Sequence, residues 1–145
     1  MAARRTPRQI LLDGMAEVRD FMPEVERMVT EDYGGRCMHV HPATVRNGRT
    51  ITPTSVPWPD LTIWFPDAPW AAERLHLVEL KAHGGKLKRG QPELFASLEA
   101  AGIPVPIWEP RDLDDKIPDA LSLWSCRDIV PVTFMPKRRR SRRAA

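Results

Sequence analysis

Two short apolar runs, Trp58-Pro59-Asp60-Leu61-Thr62-Ile63-Trp64 and Leu75-His76-Leu77-Val78-Glu79-Leu80-Lys81, constrain this chain more than any other stretch. Both are strand-like in composition and bounded by turn formers. Each carries charge at one end, Asp60 opening the first and Glu79-Leu80-Lys81 closing the second. Pro66-Asp67-Ala68-Pro69-Trp70 lies between them and is turn-rich, so an antiparallel hairpin centred near residue 70 is expected. Opposed positions then sum to about 140, which sets Asp60 across from Leu80 and beside Glu79 and Lys81. Alternation puts Glu79 and Lys81 on one face and turns Leu80 into the core.

Two carboxylates beside a backbone carbonyl, that of Leu80, make a hard oxygen site suited to Mg²⁺ or Mn²⁺. The Lys81 ammonium can then orient an attacking water or stabilise charge on a phosphate. Two other Pro-Asp pairs occur, Pro66-Asp67 and Pro118-Asp119. Asp67 falls in the turn, at the far end of the hairpin from Glu79, so Asp60 is the candidate. A stray Pro-Asp and a stray Glu-x-Lys are also ordinary surface charge in unrelated chains, and spacing alone does not separate the two readings.

At 145 residues the chain suits one domain with a real core. No stretch approaches the roughly 20 apolar residues of a membrane span, and no apolar segment follows Met1-Ala2-Ala3-Arg4-Arg5 as a secretory signal requires. Two cysteines, Cys37 and Cys126, suit a reducing compartment, so a cytoplasmic protein is expected. Nine of the 22 basic residues lie at the ends: Arg4, Arg5, Arg8, Lys137, Arg138, Arg139, Arg140, Arg142 and Arg143. Removing them leaves 13 basic against 19 acidic residues, so the body is acidic and its ends basic. That pattern suits polyanion-binding arms on a domain able to hold cations, or a solubilising tail. The organisation expected is a basic arm over 1–8, one domain over 9–135 and a disordered basic tail over 136–145.

Apolar residues at three- to four-residue steps predict helix over residues 8–32, kinked or restarted at Pro23 and stopped by Gly34-Gly35. A short strand is expected from Arg36 to His41, then a long surface loop from Pro42 to Pro57. Strands over 60–65 and 75–81 precede the loop His83-Gly84-Gly85-Lys86-Leu87-Lys88-Arg89-Gly90 and a helix from Gln91 to Ala101. Ile103 to Trp108 reads as a strand near a sheet edge, because it holds Pro104 and Pro106. Arg111 to Trp124 reads as a last helix interrupted at Pro118. The fold class expected is α/β.

Residues 59–114 resemble the VRR-NUC branch of the PD-(D/E)xK nuclease superfamily, especially its small stand-alone phage and bacterial members. The residues that carry the resemblance are Pro59-Asp60-Leu61, Val78-Glu79-Leu80-Lys81, Gly85-Lys86-Leu87, Gln91, Leu94 to Leu98, Ala100-Ala101-Gly102 and Pro110-Arg111-Asp112-Leu113-Asp114. The resemblance implies a restriction-endonuclease-like core: a mixed central sheet with the active site on its hairpin, flanked by helices. It further implies Asp60, Glu79 and the Leu80 carbonyl as metal ligands, Lys81 as catalytic lysine and Gln91 as an additional active-site residue. The family adds a glutamate from a preceding helix, for which Glu24 is the candidate and Glu26 the next. Pro57 stands where the family commonly has glycine, and the hairpin turn is longer than usual.

The function expected is a Mg²⁺- or Mn²⁺-dependent endonuclease of DNA, structure-selective on branched substrates such as four-way junctions. It would act in a bacterial cell or phage-infected host. Symmetric junction cutting needs two sites and hence a homodimer. The alternatives are a nicking or restriction-type nuclease on simple duplexes, and a non-catalytic DNA-binding protein of the same fold. Candidate nucleic-acid contacts are Arg46 and Arg49 in the long loop, Lys86, Lys88 and Arg89 before the Gln91 helix, and Arg138, Arg139 and Arg140 in the tail. Alternating Cys37, His39 and His41 admit a zinc site but lack a fourth ligand, and strand packing explains them as well. His83 suits either a phosphate contact or a plain turn. Trp58 and Trp70 are candidate stacking residues.

Overall fold

The computed structural model describes residues 4–39, 43–44, 50–51, 57–69 and 74–127. Arg46, Arg49, His41, Trp70, Arg138, Arg139, Arg140 and the tail over 136–145 lie outside the described residues.

Helix α1 (Pro7–Asp13) starts in a capping box: Gln9 N donates to Thr6 Oγ1 at 3.2 Å and Thr6 N to Gln9 Oε1 at 2.8 Å. Pro7 occupies the first turn, where no N–H is required. The chain breaks at Gly14 and re-enters helix at Glu17. Helix α2 (Met22–Arg27) is then flanked without interruption by π-helical turns, Glu17–Phe21 and Met28–Asp32. The helical segment therefore breaks at Gly14 and restarts at Glu17, not at Pro23. Pro23 falls directly after the wider turn, in the first turn of α2, where its missing N–H costs little.

Strands β1 (Arg36–His39), β4 (Leu61–Trp64), β5 (His76–Leu80) and β6 (Ile107–Trp108) form a mixed sheet in the order β1-β4-β5-β6. The first two pairings are antiparallel, and β5 with β6 is parallel. Short β2 (Ala43–Thr44) and β3 (Thr50–Ile51) pair with each other. Helix α3 (Gln91–Ala100) makes the crossover to β6, with Pro92 in its first turn and Gly102 in left-handed conformation past its end. The strand expected from Ile103 shrinks to Ile107–Trp108 at the sheet edge, because Pro104 and Pro106 supply no ladder donor. A 3₁₀ turn (Pro110–Asp114) and helix α4 (Lys116–Ser125) follow. Their break is at Asp115, and Pro118 is absorbed in the first turn of α4.

The hairpin pairs Leu61 with Val78, Thr62 with Leu77 and Ile63 with His76. This register is one residue from the expected one and sets Asp60 opposite Glu79. Burial explains it. Leu61, Ile63, Val78 and Leu80 share one face and join Phe21, Val25, Val29, Tyr33, Ile117 and Leu121 in the main core. A slip of one residue would present half of these to the wrong side. Leu77 and Phe95 are buried outside that cluster, and Glu79 follows Leu77 on the second face. Among the described residues no helix is long and apolar enough to cross a membrane.

His76 enters the core edge as a neutral ring. It stacks on Trp124 at 4.0 Å, meets Phe65 edge-on at 6.4 Å, and its buried Nε2 has no hydrogen-bond partner among the described residues. Burial, then the nearby Arg74 charge, pushes its pKa from 6.5 down to about 4. The unfolded chain thus holds the proton more tightly between those values. The stability contributed is complete above about pH 6.5 and lost as pH falls toward 4. By pH 5 the loss is on the order of 2 kcal/mol. Urea unfolding at pH 7.5 and pH 5 should show this loss in the wild type and a smaller one in His76→Phe. Equal losses in the two proteins would contradict the assignment.

Candidate active site

The backbone through Glu79-Leu80-Lys81 is held from both sides. Glu79 N donates to Pro106 O at 3.0 Å and Lys81 N to Trp108 O at 2.9 Å, both on the β6 side. Between them, Leu80 N donates to Asp60 Oδ2 at 2.9 Å. Asp60 thus takes a ladder position with its side chain, which fixes that carboxylate beside the residue joining Glu79 to Lys81. Leu80 itself is fully buried in the main core and anchors the segment by packing.

On the opposite face Glu79 is fully buried, Lys81 is 4% exposed and Gln91 is 1% exposed. The Lys81 ammonium bonds Glu79 Oε1 and donates to Leu80 O at 3.0 Å. Gln91 Nε2 donates to the same Glu79 Oε1 at 2.9 Å and also reaches Pro57 O at 3.5 Å. Its Oε1 in turn accepts from Lys88 N at 2.9 Å, so both ends of the Gln91 amide are used. Gln91 is the first residue of α3, which Gly90 opens in left-handed conformation at the end of the lysine-rich loop. Burial, reinforced by the Asp60 charge, pushes the Glu79 carboxyl up against the opposing pull of Lys81 and Gln91.

One more carboxylate enters, and the residue pattern did not single it out. Glu17 Oε2 accepts from Ala82 N at 3.3 Å and lies 4.0 Å from Lys81 Nζ. Glu17 opens the helical segment after the Gly14 break, where a carboxylate also meets the positive end of the helix dipole. Recognising that break would have put Glu17 at a helix start. Glu24, chosen from the sequence, is buried elsewhere and paired with Arg27 at 2.8 Å. Its carboxylate is held by the Arg27 guanidinium, one turn on in α2.

Asp60, Glu79, Lys81 and Gln91 are thus brought together around Leu80. Lys86, Lys88 and Arg89 are exposed on the loop between Lys81 and α3. His83, on that same loop, has Nδ1 3.4 Å from Glu109 and 3.7 Å from Asp13. Trp58 is 38% exposed beside Asp60 in sequence. Cys37 packs against the main core, and burial pushes its thiol up.

A hard divalent cation fits the chemistry of this donor set. The donors are all oxygen, and the buried Glu79 Oε2 has no hydrogen-bond partner among the described residues. As they stand, no three His, Cys, Asp or Glu side chains among the described residues are disposed to hold a metal. Asp60 is turned to an amide, and Glu79 is shared by an ammonium and an amide. No family model, no curated protein and no solved structure matches this chain.

Proposed function

We propose that this chain is a metal-dependent endonuclease with a restriction-endonuclease-like core of the VRR-NUC kind, hydrolysing DNA phosphodiester bonds. The observation that carries the reading is a buried Glu79-Lys81 pair whose residues share a strand face, with Asp60 locked across the hairpin and Gln91 bonded to Glu79. Burying a carboxylate and an ammonium is costly without compensation, and a plain structural pair is often replaceable by apolar residues. Leaving Glu79 Oε2 without a partner adds to that cost, which favours a functional over a packing role.

Asp60, Glu79 and the Leu80 carbonyl would hold Mg²⁺ or Mn²⁺. The ion, when bound, supplies positive charge to the phosphate and acidity to water. Gln91 keeps the Glu79 carboxylate oriented, and Lys81 positions the water or stabilises charge developing on the phosphate. Lys86, Lys88 and Arg89 give the substrate backbone a cationic approach. Branched DNA is the proposed substrate, cut by a homodimer.

The test is cleavage of a labelled four-way junction, a flap and a plain duplex by the purified chain with Mg²⁺. Cutting of the junction in preference to the duplex is expected. Preferential duplex cutting would replace the branched substrate with a restriction-type one. Tight binding without cutting of any substrate would favour a DNA-binding protein.

A further inference from the structure

We infer that Lys81 is the resident cation of this site, and that Glu17 is a positioning residue that receives its ammonium when a divalent ion binds. The inference rests on the metal-dependent reading above. Its basis is the set of oxygens the ammonium touches. Lys81 Nζ sits on Glu79 Oε1 and on Leu80 O at 3.0 Å, two of the three donors assigned to the ion. A compact ammonium with three donors can neutralise a buried carboxylate in the way a hard cation does. The ammonium and a divalent ion cannot share those oxygens without strong repulsion, so the two occupancies exclude each other.

The vacating ammonium needs a nearby anion, because moving it into the core alone would be costly. Glu17 Oε2 is 4.0 Å from Nζ in the present position. It is fixed there by Ala82 N at 3.3 Å, the amide directly after the lysine. The Glu17 side chain is 29% exposed, so it stands at the solvent edge of the site, whereas the Lys81 side chain is only 5% exposed. A short side-chain rotation toward Glu17 would carry the ammonium off Glu79 and Leu80 and toward the solvent edge. Lys81 thus has two stations, one that closes the site without metal and one that opens the ion's oxygens. Glu17 acts through Lys81 and is not itself a ligand.

Mn²⁺ binding to the full chain, followed by the EPR signal of the free ion without nucleic acid, tests this directly. Lys81→Met should bind Mn²⁺ roughly tenfold or more tightly than the wild type, because the competing cation is gone. Lys81→Ala carries the same expectation should the methionine variant not fold, with near-UV circular dichroism as the control. Glu17→Gln should weaken Mn²⁺ binding several-fold in the wild-type background and have no effect in the Lys81→Met background. Equal or weaker binding by both lysine variants would overturn the resident-cation role. Equal weakening by Glu17→Gln in both backgrounds would make Glu17 a ligand and overturn its positioning role. In either case binding by the wild type would leave the metal reading intact. Absence of Mn²⁺ binding in every variant would sink both.

Discussion

Lys81→Met is expected to lower the rate of DNA cleavage by about 10³-fold while leaving the chain folded and able to bind a divalent cation. Methionine matches the length and flexibility of the lysine stem, and Lys81 is 4% exposed, so the packing is largely kept. What is lost is the ammonium that rests on Glu79 Oε1 and Leu80 O in the absence of metal. The proposed reaction needs that charge beside the phosphate, and nothing else at this position replaces it. Gln91 donates an amide to the same oxygen but carries no charge. Single-turnover rates on a labelled four-way junction measure the effect. A rate within tenfold of the wild type would remove Lys81 from the chemistry.

Leu80→Ala is expected to destabilise the protein by about 2–5 kcal/mol, the range for truncating a fully buried leucine. For a chain of this size that lowers Tm by roughly 5–15 °C. The residue matters beyond its volume. Leu80 has no exposed surface, belongs to the core cluster and joins Glu79 to Lys81. Its backbone carbonyl survives the substitution, and so does the amide that binds Asp60. Activity should therefore be lost on warming as the variant unfolds but persist at low temperature. Thermal melts paired with cleavage at 10 °C and 37 °C distinguish this from a direct catalytic defect, which would abolish activity at both.

Much of this geometry was legible in the chain because it depends on short-range alternation. The residues from Val78 to Lys81 alternate apolar and charged side chains between opposite faces, and Leu80 duly enters the core. The cross-strand register was not legible to the residue. Counting outward from a long connection fixes only an approximate centre, whereas the pairing is decided by Leu61 and Ile63 meeting Val78 and Leu80 on one face. Gln91 could be placed on a helix start, but its bond to Glu79 depends on how α3 returns over the sheet.

Glu17 escaped the residue pattern for a different reason. Hydrophobic spacing runs almost unbroken from Ile10 to Val29 and draws attention to Pro23 as the interruption. A π-helical turn accommodates that proline, and Gly14 ends the first helix instead. The helix carrying Glu17 therefore begins at the hairpin end of the sheet, while Glu24 lies beyond the first turns and meets Arg27. The carboxylate near the lysine is set by where one helix starts, a property of tertiary packing that local spacing does not record.

The most direct measurement is single-turnover cleavage of a 5′-labelled four-way junction by the wild type and by Glu79→Gln, each with Mg²⁺ and with EDTA. Glu79 is the buried group on which the ammonium, the Gln91 amide and the proposed ion all converge. The expected result is cutting by the wild type that requires Mg²⁺, and none by Glu79→Gln in either condition. Cutting that persists in EDTA, or Mg²⁺-dependent cutting by Glu79→Gln at the wild-type rate, would contradict a metal-dependent phosphodiesterase built on this hairpin.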